Sequence, residues 1–134
     1  MLFRSATQEL ANASNTALIF ETEVFDTNSN YNTTTGRFTP TVAGKYFLNA
    51  TIRLDDSLDE KRFSAAIIKN TTNSAFFQMR QSSSDDDNSV SVSAILEANG
   101  SGDFFFIQAF QEEGGATNMN GDVKSTYFEG FKLI

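Results

Sequence analysis

The sequence predicts an all-β protein, a two-layer sandwich or jelly roll. Three observations predict it. Apolar and polar residues alternate along several runs, the mark of half-buried strands. Turn-forming residues separate those runs at ~10–15-residue spacing. No stretch sustains the 3.6-residue period of a helix. With 134 residues, the chain is about one domain, enough to bury roughly two thirds of its unfolded surface. No linker or internal repeat divides it, so residues 1–134 read as a single domain.

The elements follow in order. Leu2–Thr7 and Ala17–Val24 read as strands, and the Asn and Ser of Gln8–Ala17 argue for a loop between them. Asn28-Ser29-Asn30, Thr35-Gly36 and Ala43-Gly44 supply turns. In residues 44–54, Tyr46, Leu48, Ala50, Ile52 and Leu54 share one face while Lys45, Asn49, Thr51 and Arg53 share the other. Phe47 falls on the exposed face of that strand. Residues 62–69 and 75–80 are further strands, separated by a turn at Asn70–Asn73. Ser82–Asn88 is short enough for a hairpin loop. Residues 89–96 set Ser89, Ser91 and Ser93 against Val90, Val92, Ala94 and Leu96. Turns at Asn99–Gly102 and Gly114–Gly121 flank a strand at 103–111, and the last strand spans 126–133. Phe104-Phe105-Phe106-Ile107 is apolar on both faces. A sandwich strand needs one apolar face, so a loop or another subunit must cover the second.

Composition removes whole classes of chemistry. The chain has no Cys and no His, so it has no thiol nucleophile, no disulfide and no Ser-His-Asp or Cys-His triad. Ten basic against seventeen acidic residues leave a net charge of −7, a field that repels nucleic acid and anionic lipid. Neither nucleic acid nor membrane is therefore an expected partner. Met1-Leu2-Phe3-Arg4-Ser5 lacks the apolar run of a signal peptide. No stretch approaches the ~20 apolar residues of a membrane-spanning helix.

Four motifs occur in order and at specific spacing. The first is Tyr31-Asn32, Gly36, Phe38 and Pro40; the second is Gly44-Lys45-Tyr46-Phe47. The third is Gly102-Asp103 before the aromatic strand, and the fourth is Phe128-Glu129-Gly130-Phe131. Together they resemble the globular-head domain of complement C1q over residues 2–134. The resemblance implies a ten-stranded jelly roll, similar to tumour necrosis factor, that assembles as a homotrimer. Phe47, Phe105, Ile107, Phe128 and Gly130 are the interface candidates that follow.

The run Tyr31–Tyr46 looks most like copies of this domain in structural proteins of tailed bacteriophages. That resemblance implies a non-enzymatic knob on the virion, assembled in the bacterial host cytoplasm. It would serve as capsid decoration, head fibre or fibre tip, stabilising the particle or binding the host surface. Its partners would be virion capsid or tail proteins, with a host surface glycan or protein beyond them. A chain without Cys suits a reducing cytoplasm. The alternative is an extracellular, secreted C1q-like lectin or recognition domain excised from a longer stalked protein. Loops 55–61, 82–89 and 112–122 are the expected contact points.

Sites for chemistry are few. Asp26–Arg37 imitates a calcium loop, but Tyr31 stands where Gly is needed and Arg37 where Glu is needed. Asp85, Asp86 and Asp87 crowd three carboxylates that a calcium ion would relieve, although charged loop runs are more often simply solvated. No other metal ligands, no cofactor and no catalytic residue are expected. Glu112-Glu113 are adjacent and would point to opposite faces, unlike the facing carboxylates of glycosidases. Surface Thr, Asn, Ser and aromatic residues admit carbohydrate binding. Asn12, Asn32, Asn49, Asn70 and Asn99 head Asn-x-Ser/Thr sequons, unused in a bacterial cytoplasm.

Overall fold

The computed structural model describes residues 1–57, 60–80, 86–122 and 124–134. Their strands are β1 (Leu2–Arg4), β2 (Gln8–Leu10), β3 (Ser14–Ala17), β4 (Thr22–Phe25), β5 (Tyr31–Asn32), β6 (Arg37–Phe38) and β7 (Gly44–Ser57). After these come β8 (Arg62–Lys69), β9 (Thr72–Arg80), β10 (Asp86–Ala98), β11 (Phe105–Gln111), β12 (Thr117–Met119) and β13 (Tyr127–Lys132). Two antiparallel sheets result. One runs β2-β12-β7-β13-β1-β4 with β10 also on β7; the other runs β5-β6-β11-β8-β9. β3 lies alongside β11, where Ala13 N–H donates to Gln111 O at 2.8 Å and Leu18 N–H to Ile107 O at 2.8 Å. This is the jelly-roll sandwich the sequence predicts.

β7 organises the larger sheet. Tyr46 to Thr51 pair with β10 on one edge and with β13 on the other. The expected alternation holds along it: Leu48, Ala50, Ile52 and Leu54 are fully buried. Their register partners Val90 and Val92 on β10 and Phe128 on β13 face the same way. The smaller sheet answers with Phe63, Ala65 and Ile67 of β8 and with Phe105, Ile107 and Ala109 of β11. Rings fill the space between the layers. Phe3 lies 4.3 Å from Tyr31, Phe128 is 6.0 Å from Tyr31, and Phe38 is 5.7 Å from Tyr46, measured between centroids. Offset and tilted arrangements of this kind are the favoured ones.

The structure corrects several local expectations. Gln8–Ala17 is no loop: it carries β2 and β3. The continuous strand expected over Ala17–Val24 breaks at Leu18, Ile19 and Phe20. There the chain leaves β11 and crosses to β1, and Leu18 and Phe20 turn fully inward on the way. Residues Gly114–Gly121 contain β12, whose Met119 is fully buried opposite Leu54. The hairpin loop expected at Ser82–Asn88 lies at 82–85 outside the described residues, while Asp86–Asn88 belong to β10, and β9 and β10 are in different sheets. These short added segments are why the described residues hold thirteen strands where ten were expected.

Gly130 shows how closely the strands fit. A Cβ there would lie 2.6 Å from Leu48 Cδ2 and 2.8 Å from Phe47 O, inside any normal contact. Gly130→Ala should destabilise the fold by about 1–3 kcal/mol through overpacking. The measurement is a urea midpoint, which should fall with the slope unchanged; an unaltered midpoint would contradict the packing described.

Candidate functional site

The motif residues turn out to be scaffolding. Asp26 Oδ2 accepts from Tyr31 N–H at 2.8 Å, which closes the turn imitating a calcium loop. Asn32 Oδ1 accepts from the N–H groups of Thr34 and Thr35, and Gly36 N–H donates to Asn32 O at 2.9 Å. Gly36 has φ +70°, and a Cβ there would meet Leu18 O at 2.3 Å, so only glycine serves. Phe38 and Pro40 are buried, the latter just past β6 where its missing N–H breaks no ladder. Gly44 opens β7, and the Tyr46 hydroxyl donates to Val42 O at 2.7 Å.

Asp103 ties two corners together. Its carboxylate accepts from Asn70 Nδ2 at 3.0 Å and Asn99 N–H at 3.0 Å, and it pairs with Lys69 Nζ at 3.0 Å. Asn70 answers by bonding both backbone groups of Phe104. The Asn70 amide and Lys69 hold the Asp103 carboxyl below the usual carboxylate range. Glu112 is likewise lowered by its bidentate bonds to Arg62, at 2.8 and 2.7 Å. It is therefore committed to an ion pair.

The five interface candidates separate. Phe105, Ile107 and Phe128 are fully buried inside one chain, and Gly130 sits against Leu48. None of these four is available to a neighbouring subunit. The sequence reading took the wrong phase of the doubly apolar strand: Phe104, Phe106 and Phe110 are the residues that face out. The Arg37 guanidinium covers Phe104 at 4.1 Å, and Phe104 stacks with Phe106 at 6.3 Å. Within one chain, the cover found over Phe104 is the Arg37 side chain.

Phe47 keeps its outward position and has company. Ile95, Phe47 and Phe131 are direct register partners across β10, β7 and β13. Phe47 and Phe131 rings lie 5.4 Å apart. Ile95 and Phe131 are each 59% exposed. The rows beyond are polar: Ser93, Asn49 and Glu129, then Ser91, Thr51 and Tyr127. Asn49 Nδ2 donates to Glu129 Oε1 at 3.0 Å, and the hydroxyls of Thr51 and Ser91 bond at 2.8 Å. Ile95 was missed, yet it was legible as the one apolar residue in the serine phase of residues 89–95.

Asp85 lies outside the described residues, Asp86 opens β10, and Asp87 pairs with Arg53. Arg53 also holds Asp55 at 2.9 Å. Among the described residues no three His, Cys, Asp or Glu gather as a metal site. The expected contact loops also resolve differently: 55–57 continue β7, 117–119 form β12, and 58–59 and 82–85 lie outside the described residues.

A jelly-roll sandwich of two antiparallel sheets matches the folds of tumour necrosis factor and C1q globular domains. The C1q domain family model matches residues 2–133, and the chain belongs to that family. Its fold is similar to that of the Eiger TNF of S. frugiperda, with TM-score 0.73 at 16% identity over 99% of this chain and 90% of that one. It is also similar to the globular domain of zebrafish complement 1qA protein, with TM-score 0.69 at 20% identity over 99% and 97% of the two chains. No curated protein matches it.

Tyr31 provides a pH test of the scaffold. Its hydroxyl accepts from Phe20 N–H at 2.9 Å, and burial pushes the phenol up to about 12. An unfolded tyrosine ionises near pH 10. Stability from this group is thus complete below pH ~10 and is lost as pH rises toward the folded value. Urea midpoints should fall across that window. Tyr31→Phe should flatten this fall and cost about 1–3 kcal/mol at neutral pH, because Phe20 N–H is left unpaired. A Tyr31→Phe profile matching the parent would contradict the assignment.

Proposed function

We propose that this chain is a non-enzymatic recognition knob that works as a homotrimer on a bacteriophage particle, as capsid decoration, head fibre or fibre tip. The observation that carries the trimer is the Ile95–Phe47–Phe131 row. Three large apolar side chains stand in direct register on the outer sheet face, beside the polar Ser93, Asn49, Glu129, Ser91 and Thr51. Removing such surface from water gains about 25 cal/mol per Å², and an apolar patch rimmed by polar residues marks an interface. C1q and TNF domains generally form homotrimers. Cyclic threefold closure sets this face of one copy against a different surface of the next.

That assembly turns the seven-stranded sheet inward and the five-stranded sheet outward. A chain with neither His nor Cys lacks the usual bases and nucleophiles, and Glu112 is taken by Arg62. Recognition by shape is what remains. The virion setting is supported by the Tyr31–Tyr46 run and by a Cys-free composition suited to assembly in a reducing cytoplasm.

Sedimentation equilibrium at micromolar concentration should give three times the 14.8 kDa chain mass. Phe131→Asp should shift the population to monomer while leaving the far-ultraviolet spectrum intact. A parent protein that sediments as a monomer would remove the trimer. For the setting, antibodies raised against the chain should decorate purified phage particles whose genome encodes it; unlabelled particles would contradict that part.

A further inference from the structure

The outer face of the five-stranded sheet holds a hollow that the trimer does not use. Its floor is β8, where Ser64 and Ala66 are small and buried. Its walls are aromatic: Phe110 of β11 and Phe76 of β9 flank those small residues. The hollow has a volume of about 230 Å³ and is also lined by Asn15, Gln78 and Arg62.

Three of its polar side chains, Ser64, Asn15 and Gln78, are uncommitted among the described residues. Ser64 lines the hollow, and its hydroxyl makes no hydrogen bond among the described residues. The Asn15 and Gln78 carboxamides, both at the exposed rim, are equally unengaged. Phe76 offers an open ring, 56% exposed. Of the two described cations at this end of the sheet, Arg62 is held bidentately by Glu112 with its guanidinium 5.4 Å from the Phe110 ring centroid, and its register partner Arg80, outside the lining, donates to Glu60 O at 2.7 Å.

We propose that this hollow binds a neutral saccharide unit. A pyranose presents an apolar C–H face to a ring and hydroxyls at its rim. Phe76 and Phe110 suit the face. Ser64, Asn15 and Gln78 supply both donors and acceptors for the hydroxyls. Among the lining residues an anionic sugar or phosphate finds no free cation, and it meets a chain of net charge −7. A small, largely apolar hollow with a few convergent polar groups is the usual form of such sites. The proposal rests on the trimeric reading only for the outward direction of the sheet. Three equivalent hollows on one knob would convert weak single-site binding into avidity.

The test titrates labelled parent protein with the methyl glycosides of glucose, galactose, mannose and N-acetylglucosamine, following backbone amide shifts. Methyl glucuronide serves as the anionic probe. At least one neutral glycoside should shift amides around Ser64, Phe76, Gln78 and Phe110, and the glucuronide should not. Phe76→Ser, on an exposed position, should weaken binding about tenfold through lost ring contact while keeping the parent's melting curve and sedimentation. No shift with any neutral glycoside, shifts with the glucuronide alone, shifts elsewhere on the surface, or undiminished binding by Phe76→Ser would each overturn the site. Phe131→Asp separates the two ideas. A monomer that still binds at this hollow keeps the saccharide site, whatever sedimentation says of the trimer.

Discussion

The constraint on which the structure depends is the pairing of β7 on both edges. Because β10 and β13 bond the same residues of β7 from opposite sides, no register slip is free. A shift of one residue in any of the three strands would send its buried set to the outside. Leu48, Ala50 and Ile52 would then meet water, and Asn49 and Thr51 would enter a ring-filled core. Fixing the inward phase also fixes the outward one. The core that holds Phe128 and Val92 inside therefore holds Phe131, Phe47 and Ile95 in a row outside. The apolar row is a consequence of the same register that makes the domain stable.

Polar groups secure the ends of the sandwich, where ring packing gives out. Asp103 and Asn70 join the β8–β9 turn to the turn before β11. Arg62 and Glu112 do the same at the far end of β8 and β11. Gln111, fully buried, donates to Leu10 O and to Gly115 O and so pins β2 and the segment leading to β12. These bonds satisfy backbone groups that would otherwise be stranded at sheet margins. They also explain why so many Asn and Asp residues of this chain serve the fold.

Much of this was legible in the sequence, and the gaps have physical reasons. Period two located β7 and β10, which are long and half-buried, whereas β8, β11 and β13 were legible as short runs rich in Phe and Ile. The alternation of residues 44–54 gave the correct faces residue by residue. It failed at 104–107, where four apolar residues in succession carry no phase; only the register of Ile107 with Ile67 and of Phe105 with Phe38 decides that Phe105 and Ile107 go inward. Short strands such as β2, β3 and β12 were read as loops or turns. Three or four residues hold no measurable period, and tertiary pairing, with Met119 opposite Leu54, overrides their polar composition. The hollow over Ser64 was invisible for a different reason. It exists because small side chains on one strand lie between large ones on two others, and no linear pattern records that.

The central claim is that the two outer faces of the sandwich have different fates, one buried between copies and one open. The absence of any native Cys allows a direct measurement. Ile95→Cys places a single thiol on the seven-stranded sheet, and Phe76→Cys places one on the five-stranded sheet. Maleimide labelling rates are then compared in the native assembly and after denaturation. The account predicts rapid labelling at position 76 and strong protection at position 95 that vanishes on denaturation. Equal native rates at the two positions would contradict it.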